Sequence, residues 1–174
     1  MIFIILLLFV NSQQLHEKNG NTNLCNMKKY QNICTGNMNL TRNGMPQLTQ
    51  NKQEQFLATK QSYRISVNPL FLFPTQSEIN ATKVSKIIEA KNKSNYNICT
   101  DPNMGILVVY DNTTNKMHII DGHHRYAACY LMNESVYVDV VHETAINILN
   151  ELNRFDGVNY QTIDHQYFPQ KINL

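Results

Sequence analysis

The chain has 174 residues, of which 43% are hydrophobic and 16% charged. It is therefore long enough for one domain with a buried core, and too apolar for a disordered protein. The formal net charge of +2 gives no electrostatic case for sequence-specific DNA binding or for an anionic membrane.

The N-terminus predicts export. Ile2 to Val10 form an unbroken apolar run that is too short to span a bilayer, and small residues follow where a signal peptidase reads the chain. We therefore predict a signal peptide over residues 1–12, cut after Ser12, and a protein that is secreted or lies in the secretory-pathway lumen. Because no Lys or Arg precedes the run, a buried strand or an uncleaved anchor is the alternative. No later run is long enough to cross a membrane.

Three further regions follow the predicted signal peptide. Residues 13–55 are rich in Asn, Gln, Gly and Thr and lack a strong period, so they are expected to form a polar N-terminal extension that is mostly loop. A short helix is predicted near Gln53 to Lys60. Residues 56–155 are predicted to form the folded domain, and residues 156–174 a tail without an assigned structure.

The four cysteines, an even number, suggest disulfides in an oxidising compartment. Three pairings are possible. We favour Cys25 with Cys34, which closes a short loop, and Cys99 with Cys129; two free thiols are the alternative for the second pair. Five Asn-x-Ser/Thr triplets are candidate glycosylation sites, at Asn39, Asn80, Asn92, Asn112 and Asn133.

The domain region alternates between strand and helix patterns. Tyr63 to Phe73 predicts a strand that Pro74 ends. Ser77 then resembles the N-cap of a helix that runs to about residue 90, with Glu78 in its first turn. The later elements are a hairpin (106–110 and 117–120, with the turn 111–115), a helix (123–132), a strand (136–141) and a helix (143–155). This order predicts one compact α/β domain with a mixed sheet.

The densest chemistry lies in the five consecutive residues Asp121-Gly122-His123-His124-Arg125, between a predicted strand and a predicted helix. Such a junction has unpaired backbone N–H groups and a positive helix dipole, and it binds anions, especially phosphate. Gly122 leaves the backbone open to a ligand, and Arg125 suits a bidentate phosphate contact. The histidines change charge near neutral pH, and Asp121 is suited to orient one of them or to assist a metal or a hydroxyl group. The alternative is structural, with Asp121 as an N-cap and Gly122 as a turn residue.

A zinc site is not expected in this chain. Adjacent histidines on a helix point in different directions, and neither an HExxH nor a CxxC spacing occurs. The separate histidines His118, His142 and His165 would have to be brought together by the fold.

The segment Asp121 to Ala128, after an apolar strand and before a helix, resembles the signature box of the ParB/sulfiredoxin superfamily. Upstream, Leu72 to Ile79 resembles the first strand-to-helix segment in the members labelled ParB-like nucleases. Met45 to Gln47 is similar to a segment ahead of the domain in those members. The resemblance covers about residues 42–142 and implies a ParB/sulfiredoxin-like fold with a nucleotide or phosphate site.

The resemblance also implies roles for individual residues. Phosphate would be bound by four residues of the box, namely Gly122, His123, His124 and Arg125. Thr75, Gln76 and Glu78 would form the facing wall, and Glu78 would be a candidate catalytic base, as in the free-serine kinases with a similar box. The implied cofactor is magnesium with ATP or CTP.

Two departures from the family narrow the choice. Sulfiredoxins carry a cysteine directly after the glycine, where this chain has His123, so sulfinic acid reduction is not expected. Partition proteins continue into a helix-turn-helix domain, but only about thirty residues follow Val141. Neither chromosome partitioning nor sequence-specific DNA binding is therefore expected.

Three functions remain open from the sequence. The first is a nucleotide-dependent phosphotransferase or nucleotide hydrolase, in which Arg125 holds the phosphoryl group, a histidine donates to its oxygens, and Glu78 or Asp121 takes a proton or positions magnesium. The second is a secreted nuclease with His123 and His124 as acid and base. The third is a non-catalytic module for a phosphorylated or other anionic ligand. The sequence predicts no oligomeric state.

Overall fold

The computed structural model describes residues 22–34, 49–76, 78–94, 96–148 and 151. Within these residues, five strands form one sheet, and three α-helices, three 3-10 helices and the helical residues 145–148 and 151 lie around it. The strands are β1 (Ser62–Val67), β2 (Leu72–Phe73), β3 (Ile106–Asp111), β4 (Lys116–Asp121) and β5 (Val136–His142). The α-helices are α1 (Gln50–Leu57), α2 (Ala81–Ser94) and α3 (His123–Met132), and the 3-10 helices are Leu24–Asn26, Lys28–Ile33 and Pro69–Phe71.

The sheet has the order β1-β5-β3-β4-β2 and mixes parallel with antiparallel pairs. The pairs β1 with β5 and β3 with β4 are antiparallel, whereas β3 with β5 and β2 with β4 are parallel. The described residues therefore form a compact α/β domain with a mixed sheet, as the sequence predicted. Among them, every helix falls short of the length and apolar character that a membrane span requires.

Both faces of the sheet are buried, and the alternation of side chains along each strand assigns them. In β3, Val108 packs toward α2 and α3, while Leu107 and Val109 pack toward α1. A helical turn at residues 145–148 completes the second face through Ala145 and Ile148. This burial on both sides explains why β3 reads as a continuous apolar run rather than an alternating one.

The predicted strand from Tyr63 to Phe73 is wrong as a single element. It stops at Val67, because Asn68 accepts the N–H of Leu70 and starts the short helix Pro69–Phe71. Pro69 has no N–H for a ladder, so the apolar run breaks there. The two halves reach opposite edges of the sheet, with β1 beside β5 and β2 beside β4.

The helix predicted from Ser77 begins later, at Ala81, and extends to Ser94. Asn80 precedes it, and its side-chain oxygen accepts the N–H of Lys83 at 3.0 Å, which is the capping bond expected of an N-cap residue. Ser77 itself lies outside the described residues. Glu78 is not in the first turn of α2, contrary to the prediction, because two residues separate it from the start of the helix.

Both predicted disulfides are confirmed, between Cys25 and Cys34 and between Cys99 and Cys129. The first closes the segment 22–34, which packs on the domain through the buried Leu24. The N–H of Leu24 donates to the carbonyl of Ile79 at 2.8 Å, so the segment pairs with the chain just before α2. The sequence had predicted no regular structure here.

The remaining predictions agree to different degrees. The hairpin and the helix from 123 to 132 are confirmed, and α1 begins three residues before the predicted Gln53 because Thr49 caps it. The helix predicted over 143–155 is described at 143–148 and 151, of which 145–148 and 151 are helical, so it begins two residues later than predicted. The predicted signal peptide, Asn39 and Met45 to Gln47 lie outside the described residues.

Candidate functional site

The turn before α3 requires a glycine for two reasons. Gly122 has φ of 94°, a left-handed conformation that side chains disfavour, and it precedes the first helical residue without a side-chain cap. A Cβ at this position would lie 2.5 Å from Cγ2 of Ile106 on β3. A side chain at this position would therefore collide with the protein's own strand, and the predicted approach of a ligand to the Gly122 backbone stays a prediction.

His123 points into the protein and is 2% exposed. Its Nε2 accepts the backbone N–H of Thr75 at 3.0 Å, and the Thr75 hydroxyl lies 3.3 Å from the same nitrogen. That hydroxyl donates to the carbonyl of Ile119 at 2.5 Å. Because an amide donates to it, Nε2 carries no proton, and the geometry assigns a neutral ring protonated at Nδ1.

His124 makes the matching contact one residue later. Its Nε2 accepts the backbone N–H of Asn80 at 3.1 Å. Burial lowers the pKa of His124 to about 4, and the charge of Lys83 acts in the same direction. This ring is therefore neutral at physiological pH, as the hydrogen bond requires.

The two histidines together hold the segment from Thr75 to Asn80 against the start of α3. Acid–base catalysis through Nε2 of either ring would require that nitrogen to give up the backbone amide it accepts. The contacts thus give both side chains a positioning role, and their predicted catalytic role stays a prediction. Thr75 is fully buried behind the same contact.

Arg125 ties α3 to the loop before β3. Its Nη1 donates to the carbonyls of Met104 at 2.5 Å and Gly105 at 3.2 Å. Burial lowers the pKa of Arg125, while Asp121 and Asp139 favour its charged form. The guanidinium is therefore a half-buried charge that is already bonded on one side.

A small cleft of about 280 Å³ opens where α3 begins. Its polar walls come from the turn and from one face of α2, which adds two exposed lysines three residues apart. The lining residues are Lys83, Lys86, Ile87, Asp121, Gly122, His124 and Arg125. We call this the cationic cleft, because three positive side chains face one carboxylate across it.

A larger groove of about 590 Å³ adjoins the cationic cleft and shares Lys83 and His124 with it. Its other walls are the disulfide-closed N-terminal segment and the chain leading into α2. The lining residues are Asn23, Asn26, Gln76, Glu78, Ile79, Asn80, Lys83 and His124. We call it the polar groove, since amide and carboxylate side chains dominate its surface.

The structure brings some predicted site residues together and separates others. Asp121, Gly122, His124 and Arg125 line the cationic cleft, and Gln76 and Glu78 line the polar groove. His123 and Thr75 line neither of them and are buried.

Sequence reasoning missed four lining residues, Lys83, Lys86, Asn23 and Asn26. The lysines left a weak signal, since they flank the apolar stripe of α2 at helical spacing. The asparagines left none.

Sequence reasoning also missed a buried polar network on the other side of the loop before β3. Asp139, which is 4% exposed, accepts two bonds from Arg64 and one from Gln53. Gln53 also donates to the carbonyl of Gly105, the same carbonyl that Arg125 reaches. The loop is thus held from both sides, which fixes Arg125 where it lines the cationic cleft.

The candidate glycosylation sites differ in their surroundings. Asn92, Asn112 and Asn133 are exposed, whereas Asn80 is half-buried and caps α2 with its side chain. Among the residues that the structure describes, no three histidine, cysteine or acidic side chains gather closely enough to hold a metal ion.

Comparisons with known proteins give no family for this chain. No family model matches it, and neither a curated protein nor a solved structure is similar enough to count as a match. The resemblance to the ParB/sulfiredoxin superfamily therefore depends on the sequence segments alone and stays a prediction.

Proposed function

We propose that this protein is secreted and binds a phosphate-bearing ligand in the cationic cleft. Export is supported by the apolar N-terminal run, the Asn-x-Ser/Thr triplets and two disulfides. The observation that carries the ligand class is the convergence of Lys83, Lys86 and Arg125 on the N-terminal end of α3. The resemblance to the ParB/sulfiredoxin superfamily points to the same chemistry, with nucleotides such as ATP or CTP and magnesium as the ligands it implies.

Each group has a distinct part in this proposal. Lys83 and Lys86 supply mobile charges, because their ammonium groups make no hydrogen bond within the described part of the chain. Arg125 supplies a fixed charge, since Met104 and Gly105 hold its Nη1. The peptide dipoles of α3 add positive potential at the same place.

The activity most compatible with the resemblance is phosphoryl transfer or nucleotide hydrolysis. In that case Asp121, which lines the cationic cleft, is the best-placed proton acceptor, and Glu78 in the polar groove is the second. A non-catalytic binding module is the competing proposal. It is favoured by the Nε2 atoms of His123 and His124, which already accept backbone amides.

Calorimetric titration of the disulfide-bonded protein tests the binding step. Inorganic phosphate, pyrophosphate and ATP with magnesium are the probes. The double variant Lys83→Gln, Lys86→Gln should bind pyrophosphate about a hundredfold more weakly, since a charged hydrogen bond contributes about 1.5 kcal/mol and two are lost. Lys52→Gln is the matched control, because this exposed lysine lies on α1 at the other face of the sheet.

The outcomes separate the proposals. An unchanged affinity in the double variant, or no binding by the folded protein, would overturn the phosphate site. If ATP binds, release of phosphate or transfer to an acceptor separates an enzyme from a binding module. A turnover that Asp121→Asn abolishes, with ATP still bound, would favour the enzyme.

A further inference from the structure

The polar groove has a surface chemistry of its own. Four of its lining side chains are carboxamides and one is a carboxylate: Asn23, Asn26, Gln76, Asn80 and Glu78. Its one aliphatic lining residue, Ile79, is fully buried and so offers almost no apolar surface. Among its described lining residues the only aromatic ring is that of His124, which is 8% exposed, whereas Tyr63 and Tyr96 are exposed elsewhere.

We propose that the polar groove binds the hydroxyl-rich part of the ligand whose phosphate occupies the cationic cleft, so that the ligand is a sugar phosphate. This inference depends on the proposed phosphate site and narrows its substrate class. The groove shares Lys83 and His124 with the cleft, so one small molecule reaches both. Its volume of about 590 Å³ lies within the range of small-molecule sites and exceeds what a phosphate needs.

Hydrogen-bonding capacity favours a sugar over a nucleobase. A hydroxyl group both donates and accepts, so it pairs with amides that offer both functions and with a carboxylate that accepts. A nucleobase instead gains most from stacking on an aromatic ring or a guanidinium plane. The polar groove supplies the first kind of surface, and of the second its described lining has only the buried ring of His124, whose Nε2 accepts the N–H of Asn80.

Some of these polar groups are available to a ligand. The side chains of Asn26, Gln76 and Glu78 make no hydrogen bond within the described part of the chain, and Asn26 and Glu78 are exposed. By contrast, Asn23 and Asn80 use their side-chain oxygens to hold the backbone, through the N–H groups of Ile79 and Lys83. The first three would thus contact the ligand, and the other two keep the walls in place.

The N-terminal wall is fixed, so the groove is preorganised. The disulfide between Cys25 and Cys34 closes the segment that carries Asn26. Two backbone bonds join this segment to the entry of α2, from Leu24 N–H to the Ile79 carbonyl and from Ala81 N–H to the Thr22 carbonyl. A preformed wall lowers the ordering cost of binding and so favours a small polar ligand.

Titration of the disulfide-bonded protein with glucose 6-phosphate, glucose 1-phosphate, mannose 6-phosphate, inorganic phosphate and AMP tests the proposal. At least one hexose phosphate should bind about tenfold more tightly than inorganic phosphate and AMP, as one or two added hydrogen bonds would give. Asn26→Leu should abolish that advantage and leave the affinity for inorganic phosphate unchanged. Asn32→Leu is the matched control, since this exposed asparagine lies in the same segment and does not line the groove.

Gln76→Leu is the second variant, in case Asn26→Leu does not fold. Equal binding of inorganic phosphate and all three hexose phosphates would overturn the inference, and so would tighter binding of AMP. Either result leaves the phosphate site intact as long as inorganic phosphate binds and loses affinity in the Lys83 and Lys86 double variant. Failure of every phosphate to bind would overturn the proposed function itself.

Discussion

Lowering the pH should destabilise the folded protein, because the folded state keeps the His124 ring neutral whereas the unfolded chain lets it take up a proton. Its pKa is about 4 in the folded protein and 6.5 in a free side chain. Since the folded pKa is lowered, the stabilisation is complete above pH 6.5 and is lost as the pH falls from 6.5 toward 4. At pH 5, which is 1.5 pH units below the pKa of the unfolded state, the free energy of unfolding should be lower by about 2 kcal/mol, because each pH unit contributes about 1.36 kcal/mol.

The variant His124→Gln isolates this contribution. The glutamine oxygen replaces Nε2 as acceptor for the N–H of Asn80, but it does not titrate. Urea unfolding at pH 7 and pH 5 gives the free energy of unfolding for both proteins, with the disulfides intact. Between these two pH values the wild type should lose about 2 kcal/mol more than the variant, because the other titrating groups are common to both.

Lys83→Gln separates the two causes of the low pKa. Burial is the larger cause and the charge of Lys83 the smaller, so this variant should keep most of the acid sensitivity. The reasoning on burial would be refuted if the wild type and His124→Gln lost the same free energy of unfolding between pH 7 and pH 5, within about 0.5 kcal/mol. A loss abolished by Lys83→Gln would show instead that charge repulsion dominates.

Three other replacements follow from the packing around the site. Gly122→Ala should lower the free energy of unfolding by about 3 kcal/mol, from the left-handed backbone and the contact with Ile106 together, and an unchanged melting temperature would contradict both. Asp139→Ala removes the acceptor of the Arg64 guanidinium and of the buried Gln53 amide, and urea unfolding should show a free energy of unfolding lower by about 2 kcal/mol. Replacing Cys99 and Cys129 by alanine opens a loop of 30 residues and should lower the free energy of unfolding by about 3 kcal/mol in the same assay. A change near zero would mean that this bond does not constrain the unfolded chain.

The fold was predictable where local signals and the hydrophobic period agree. The hairpin and α3 have both, since a turn with Asp111 separates the strands and Asn133 adopts the left-handed conformation that ends the helix. The run from Tyr63 to Phe73 misled because its apolar residues continue on both sides of Pro69. Only the sheet order reveals that the two halves belong to opposite edges.

The candidate site was predictable only in its local part. The turn from Asp121 to Arg125 is contiguous in the chain, so its residues stand out together. The roles of the histidines were hidden because their partners are backbone N–H groups of Thr75 and Asn80, which every non-proline residue has. Asn23 and Asn26 reach the polar groove from the N-terminal segment 22–34, which contains the disulfide and has no hydrophobic period.

These contacts change what the signature box tells about function. Gly122 is required because a Cβ at this position would collide with Ile106. His123 and His124 each accept a backbone N–H group, and Arg125 donates to two backbone carbonyls. Each of these four residues thus has a structural task that a relative could share without sharing an activity. A resemblance carried by the box therefore argues for a common fold more strongly than for a common reaction. The proposed ligand chemistry therefore depends less on the box, apart from Asp121 and Arg125 in the cationic cleft, than on the lysines of α2 and the amides of the polar groove, whose replacement tests it.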